Sequence, residues 1–566
     1  MATPWNIRGS ASQLFFQDKT SPQYKALLAI ADVPHPDRSI LGSFINDALD
    51  PQEAARYFLR VTSMENGSKA QFLSEWKLLT DKFRPTLATS LSTETKKLLY
   101  ERDGGRCCLT RTPFKSHLDH NIKYVHLLSP HVFADPDLSE GAALSEMLSA
   151  FLSRERLEIV RSHFEGPHCK LPERLDNLWM LSTQAFDAVK EGEVFLIVKS
   201  RANHPDTTQK QTISYPSLEN AIFIDVDVPE YYINTNWFKP QHCGRLSLPM
   251  NEIHLENRSP QLTPILNEEL IGIHARFAKS LAWMETEKYM NTESSLPSLA
   301  PPFFPLFRKL WIALPSFVRA SIYDGLLWIG SRLYGPSLSM TVFKLPFGLY
   351  LRRGSPVLAP KYHVEARTLH MVKQLTQIPA PRAIDVVETP HFSFLLMTCV
   401  PGRPIGQMLH TMTDEQVKHA VTDLKRYISE LRKIPNTITE FQICNSQGGG
   451  ILDWRIPDTD FNKYLTDPFW DEIRRRAAKS HNIRHDIVFT PGDLNPRNIL
   501  AENGKITGII DWEIAGWFPE YWEYTKAHYT VRSVIRWLAD VVDEVFEGYR
   551  NELVVENLLS NLLSPF

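Results

Sequence analysis

The sequence predicts an α+β protein built from more than one domain, and three observations carry that prediction. A chain of 566 residues exceeds what one ordinary core organises, and its length suggests two to four domains. Asn503-Gly504 stands between two apolar runs, and both positions of such a turn need positive φ, so the flanking runs read as a β-hairpin. From Thr413 to Leu431, Val417, Val421, Leu424, Ile428 and Leu431 share one helical face behind a capping box of Thr413 and Gln416, and Pro435 stops the helix.

Composition narrows the class of partner. With 62 basic against 65 acidic residues the net charge is −3, and no concentrated basic run is visible, so nucleic acid is not expected as a partner. Six cysteines, at 107, 108, 169, 243, 399 and 444, follow no regular framework and fit reduced thiols inside a cell. The start, Met1-Ala-Thr-Pro-Trp-Asn6, lacks the charged and apolar pattern of a signal peptide, so a cytoplasmic location is expected. The most hydrophobic region, Phe303 to Tyr334, is interrupted by Arg308, Lys309, Pro315, Arg319, Asp324 and Arg332. A membrane span wants about 20 nearly uncharged residues, so an amphipathic or buried helical pair is expected there, and no membrane partner.

In chain order, residues 1–90 mix short helical patterns with polar turns, and residues 91–235 carry a Cys/His-bearing segment followed by short apolar runs such as Ala221-Ile-Phe-Ile-Asp-Val226 that read as strands. Residues 236–325 read as a connector, with Leu270 to Met290 at helical spacing and Ser294 to Pro305 as a Ser/Pro-rich linker. In residues 326–566, Ser339 to Lys344 and Gly348 to Arg353 read as paired strands, Lys361 to Leu375 as a helix closed by Pro379, and Phe392 to Val400 as a buried strand ending at Pro401-Gly402.

The hairpin at Asn503-Gly504 carries chemistry. Asn498 starts one of its strands and Asp511 ends the partner, and antiparallel pairing brings the two ends together at a point that suits a hard cation. Asp493 sits in the loop just outside. One Asp to accept a hydroxyl proton, with an Asn and a second Asp to hold magnesium on nucleotide phosphates, is the division of labour of phosphoryl transfer. From about Leu333 onward the chain resembles the aminoglycoside phosphotransferase family, most closely its large, mostly fungal branch. The family's Gly-Asp-x-x-x-x-Asn loop is matched by Gly492, Asp493 and Asn498, and its Ile-Asp-Trp-Glu element by Ile510, Asp511, Trp512 and Glu513.

The resemblance implies a two-lobed, protein-kinase-like domain over 326–566, with ATP and Mg2+ as cofactors and a hydroxyl of a small molecule as acceptor. It makes Asp493 the catalytic base, Asn498 and Asp511 the metal ligands, and the backbone of about Met397 to Val400, Met397 and Cys399 included, the part that binds adenine. The family's phosphate-binding lysine falls on Arg352, whose fork is longer and differently directed, and its helix glutamate on Glu365, which could pair with Arg352. The alternative reading puts Arg352 on an exposed strand face and Glu365 on a solvated helix face. Where the family has a histidine before Gly-Asp, this chain has Pro491, which removes a side-chain donor and an N–H, so Asp493 is expected to be less well oriented. The run Trp512 to Tyr524 reads either as a subsite for a cationic alcohol or as ordinary core.

Upstream, Arg102 to Thr110 with Cys107 and Cys108, Tyr124 to Pro130 with His126, and Asp176-Asn177-Leu-Trp resemble an HNH nuclease module, which implies a smaller mixed α/β domain over 91–235. The resemblance gives His126 the role of general base and Asn177 that of orienting it; the final metal-ligating histidine falls on Phe186, so an inherited scaffold without nuclease activity is expected. A zinc site drawn from Cys107, Cys108, His117, His120, His168 and Cys169 lacks the knuckle spacing. Three functions follow in order: ATP-dependent phosphotransfer to an unidentified small molecule, a nucleotide-binding or inactive pseudokinase acting as an interaction protein, and a nuclease. Neither the acceptor nor the oligomeric state is legible in the chain.

Overall fold

The computed structural model describes residues 19–64, 67–164, 173–198, 230–235, 252–254, 267–288, 290, 311–335, 337, 339–451, 482–530 and 535–563. The chain divides into two compact units, one built on Phe16–Asn291 and the other on Thr292–Phe566. The expected strand at Ala221 to Val226 and the expected linker at Ser294 to Pro305 lie outside the described residues.

The N-terminal unit opens with helices α1 (Pro22–Ala29), α2 (Asp37–Asn46), α3 (Pro51–Thr62) and α4 (Lys69–Lys82). Ser21, Asp50 and Ser68 cap three of them by accepting N–H groups of the first turn. There follow β1 (Thr86–Leu87), α5 (Thr93–Arg102), β2 (Ile122–His126), α6 (Ala143–Leu152), α7 (Arg154–Phe164), β3 (Leu178–Ser182), α8 (Thr183–Lys190), β4 (Val194–Val198), β5 (Glu230–Thr235), β6 (Glu252–His254) and α9 (Glu268–Glu287). β1-β2-β3 and β4-β5-β6 are separate antiparallel sheets. Trp76 of α4 packs on Phe44 of α2, Phe151 of α6 and Phe277 of α9, so distant helices share one aromatic core.

The C-terminal unit begins with α10 (Ser316–Tyr334), β7 (Val342–Leu345), β8 (Leu349–Gly354), α11 (Ala359–Leu375), β9 (Ala383–Glu388) and β10 (Ser393–Thr398), whose strands form an antiparallel sheet in the order β7-β8-β10-β9. Alternation along β10 sends Leu395 and Met397 toward Tyr362 of α11, and Phe394 and Leu396 toward Ala320 and Tyr323 of α10. Of the expected amphipathic or buried helical pair over Phe303 to Tyr334, residues 303–310 lie outside the described residues, and the remainder holds the long helix α10, apolar on the sheet side and on the outside.

Next come β11 (Arg403–Pro404), a short helix Ile405–Met408, α12 (Asp414–Leu431), β12 (Cys444–Asn445), β13 (Ile487–Thr490), β14 (Ile499–Glu502), β15 (Lys505–Ile509), β16 (Gly516–Pro519), α13 (Trp522–Thr530) and α14 (Arg550–Leu563). Both capping-box bonds at α12 form, from Gln416 N–H to Thr413 Oγ1 at 3.2 Å and from Thr413 N–H to Gln416 Oε1 at 2.9 Å. α12 packs Leu424 and Leu431 into a core with Phe489, Trp512, Trp517 and Trp537. The unit is thus a sheet-rich lobe up to β10 and a largely helical lobe after it.

Candidate active site

The turn of the hairpin is made by Asn503 (φ 49°) and Gly504 (φ 76°), which joins β14 to β15 in a ladder that runs from Glu502 opposite Lys505 to Ile499 opposite Ile509, with one register shift between Leu500 and Ala501. Ile510 N–H donates to Asn498 C=O at 2.8 Å, extending the ladder one step and setting Asn498 beside the strand end that carries Asp511. Asp511 adopts φ 65°, a left-handed conformation that aspartate tolerates better than most residues.

Between β13 and β14 the loop closes on itself. Asn495 N–H donates to Asp493 C=O at 2.8 Å, and Asn498 N–H donates to Asn495 C=O at 2.8 Å. Asn498 Nδ2 donates to Asp493 Oδ2 at 3.0 Å and to its carbonyl at 3.1 Å, which turns the Asn498 amide oxygen to the opposite side. Burial pushes the Asp493 carboxyl up to about 6; Lys526 opposes the rise, Glu523 and Asp511 add to it, and Arg497 opposes it again.

Pro491 does not leave this loop loose. Glu523 of α13, itself buried, accepts from Thr490 Oγ1 at 2.5 Å and from Gly492 N–H at 2.7 Å through Oε2, while Leu494 N–H donates to Oε1. One carboxylate therefore holds the residues on both sides of Asp493 by charge-assisted hydrogen bonds. Only the run's acidic character pointed to Glu523, and its role was not foreseen. The rings around it, Trp512, Trp517, Phe518, Tyr521, Trp522 and Tyr524, are buried, so of the two readings of that run the structure gives core.

In the small lobe Arg352 of β8 is buried among three carboxylates. Its Nε lies 3.1 Å from Glu365 Oε2 of α11, an ionic contact outside hydrogen-bond geometry, while Nη2 donates to Asp511 Oδ1 and Nη1 to Glu513 Oε2, each at 2.5 Å. Solvated faces, the other reading of Arg352 and Glu365, are excluded by their burial. Burial works against the guanidinium charge, and the carboxylates of Glu365, Asp511 and Glu513 outweigh it, raising its pKa. Burial likewise pushes the Glu365 carboxyl up, against the pull of Arg352. Lys361, one turn before Glu365 on α11, donates to Glu513 Oε1 at 3.0 Å and adds a second cation that no motif marked.

The strand expected to meet adenine is partly committed. Met397 lies in the ladder between Tyr350 of β8 and Ala383 of β9, and Cys399 N–H donates to Gly348 C=O at 2.7 Å. A base-binding role for this segment therefore narrows to the Cys399 carbonyl and Val400.

In the N-terminal unit His126 ends β2 and is buried, Asn177 immediately precedes β3, and Phe186 lies on α8, giving a strand-strand-helix order. The Asn177 side chain bridges Leu128, accepting from its N–H at 3.0 Å and donating to its C=O at 2.7 Å. Cys107 Sγ accepts from Thr110 N–H at 3.4 Å and Ser182 N–H at 3.3 Å, and the Cys108 thiol donates to Asp103. His168 and Cys169 lie outside the described residues.

A phosphoryl-transfer class of domain is what the loop and hairpin suggest, and comparison with known proteins gives the family. Residues 347–554 match the profile of the phosphotransferase enzyme family (APH), so the C-terminal unit carries a domain of that family. Aminoglycoside 3'-phosphotransferases of Escherichia coli and of Salmonella typhimurium are each 26% identical to this chain over 172 residues, 29% of this chain and 61% of theirs, so the chain spans about three fifths of the length of these relatives. Among solved structures, aminoglycoside phosphotransferase APH(3'')-Id from Streptomyces rimosus shares 17% identity at a TM-score of 0.30, covering 43% of this chain and 98% of that one. That protein has also been solved in complex with ADP and streptomycin.

Proposed function

We propose that the C-terminal unit is an ATP-dependent phosphotransferase acting on a hydroxyl of a small molecule. The observation that carries this is the coupling of loop to hairpin: Asp493 is gripped by Asn498 Nδ2, and Asn498 sits across the ladder from the end that bears Asp511. With its pKa near 6, Asp493 is ionised at neutral pH yet basic enough to take a proton from an acceptor hydroxyl as the phosphate bond forms. Asn498 and Glu523 fix its direction.

The donor set fits magnesium. Among the described residues no three His, Cys, Asp or Glu side chains form a ready-made cage, and magnesium characteristically takes one or two protein oxygens and completes its shell with substrate phosphates and water. Asn498, through its amide oxygen, and Asp511 would hold it, and when bound it would neutralise charge on the phosphates. Asp511 already shares a carboxylate oxygen with Arg352, so the cation would compete with that guanidinium. Arg352 and Lys361 supply the positive charge for the phosphates, and the Cys399 carbonyl with the Val400 N–H would meet the adenine edge.

Calorimetric titration with ATP, with and without magnesium, followed by ADP release across hydroxyl-bearing metabolites that include aminoglycosides, tests this. Magnesium-dependent binding is expected, weakened by Asn498→Ala and more strongly by Asp511→Ala, which removes formal charge. Binding with no ADP release on any acceptor would favour a nucleotide-binding interaction protein, and equal affinity with and without magnesium would remove the metal roles.

For the N-terminal unit we infer a scaffold of the HNH type without nuclease activity. In support, Asn177 is spent on tying the end of β2 to β3, and the helix position of a metal ligand holds the buried ring of Phe186. Divalent-metal-dependent cleavage of DNA or RNA that disappears in His126→Ala would overturn it.

A further inference from the structure

We propose that the outer face of α10 binds an anionic lipid surface. The helix is apolar on both sides. Its inner side, Ala320, Tyr323 and Gly330, is buried against the small-lobe sheet, and Gly330 is required there, since a Cβ would sit 2.5 Å from Lys344 C=O. Its outer side presents Phe317, Trp328 and Leu333 at 70%, 64% and 63% exposure, together with Ile322 and Ile329. At 100° per residue these five fall within one half of the helix, which they share with Ser321, Gly325 and Arg332, so they form an apolar stripe. A helix with water on its outer face is normally polar there, and a contiguous apolar stripe marks a surface that something covers.

Charge selects the occupant. The whole chain has 62 basic and 65 acidic residues, but Phe303 to Tyr334 reverses the balance, with Arg308, Lys309, Arg319 and Arg332 against Asp324 alone. Asp324 is matched by Arg353 at 3.5 Å, and Arg319 turns inward to Asp385. On the outer side the Arg332 guanidinium stands 5.3 Å over the Trp328 ring, and at the C-terminal end of the helix, beyond the stripe, Lys344 Nζ of β7 stands 4.7 Å over the half-exposed Tyr334 ring. Aromatic rings carrying cations at an apolar surface are the side chains that settle at the head-group level of a bilayer, with stems in the acyl boundary and charges toward lipid phosphate. The mode is surface binding: no helix among the described residues is long and apolar enough to cross a membrane.

Flotation of the full chain with vesicles of phosphatidylcholine alone, or mixed with phosphatidylserine, tests the proposal. Recovery with the phosphatidylserine vesicles is expected, falling with added salt. The double variant Trp328→Ser, Leu333→Ser should lose about tenfold or more of that binding, the scale of one large apolar side chain withheld from the bilayer. Its melting temperature should match that of the unaltered protein, because both side chains are exposed, and Phe317→Ser gives an independent variant at the other end of the stripe. No binding to either vesicle, or binding that the outer-face variants leave unchanged, would overturn it. A self-associated species in sedimentation equilibrium that the double variant dissociates, without vesicle binding, would assign the face to a second copy instead and equally overturn it.

Discussion

The loop at Asp493 and the cation site at Arg352 lie in the two lobes of one unit, and each departs from the pattern the sequence resembles. At the loop, a proline stands where a scaffolding histidine was expected, yet Glu523 reaches in from α13 and takes the Thr490 hydroxyl and the N–H groups of Gly492 and Leu494. The departure is answered locally, and Asp493 keeps its aim. At the cation site, an arginine replaces lysine and its longer fork bonds Asp511 and Glu513 as well as approaching Glu365. Here the substitution spreads, because the same guanidinium that would meet phosphate also neutralises a carboxylate assigned to metal. A backbone scaffold can thus be rebuilt by any well-placed acceptor, whereas a substituted charge changes every partner it reaches.

The largest break in this comparison comes from Asp493→Asn. Transfer should fall roughly 10²-fold or more while ATP affinity stays nearly constant, as for a lost general base. Loss of ATP binding with unchanged turnover per bound complex would show that Asp493 serves the nucleotide instead. Glu523→Ala comes next. It leaves three buried donors without their acceptor, each worth about 1–3 kcal/mol, so chemical denaturation should show a loss of a few kcal/mol and kcat should drop with ATP affinity little changed. Unaltered kcat in a folded Glu523→Ala protein would mean that the loop does not need the clamp. Arg352→Lys should act more mildly. Lysine keeps a charge near Glu365 but cannot span Asp511 and Glu513 together, so the magnesium concentration for half-maximal ATP binding should fall several-fold, with about 1 kcal/mol of stability lost. An unchanged magnesium requirement would mean that Arg352 does not compete for Asp511.

Local signals made part of this legible beforehand. Asn503-Gly504 specifies its turn within two residues and the Thr413–Gln416 box specifies a helix start within four, so the hairpin, α12, and the pairing of Asn498 with Ile510, the residue before Asp511, follow from short-range chemistry. Glu523 was hidden because its three bonds join residues 29 to 33 apart, and because it sits in a run of aromatics that reads as core. The Arg352 network was hidden further still: Arg352 and Glu513 are 161 residues apart, and which carboxylates an arginine fork reaches depends on how the two lobes meet. The outer side of α10 escaped for the opposite reason, since an all-round apolar helix reads as buried until a sheet is seen to cover only one face.

The finest contrast between the two sites lies in how each tunes a carboxyl. Burial raises Asp493 to about 6, and the buried ammonium of Lys526 is the largest force holding it from rising further. A general base works when deprotonated, so transfer should climb with pH, reach about half its plateau near pH 6, and level off above pH 7. Lys526→Met keeps most of the side-chain volume and removes the cation. Stripped of that opposition, Asp493 becomes a stronger base with a higher pKa, so the acid limb of the pH profile should move to higher pH while the plateau changes little. The check is the ratio of kcat/KM at pH 6 to that at pH 8, which should be smaller in Lys526→Met than in the unaltered protein. A limb that stays in place, or moves to lower pH, would show that the group titrating near pH 6 is not Asp493 under the influence of Lys526. Arg352→Lys keeps one positive charge beside Glu365 and Asp511, so it should leave this limb where it is and so separate the two sites by pH alone.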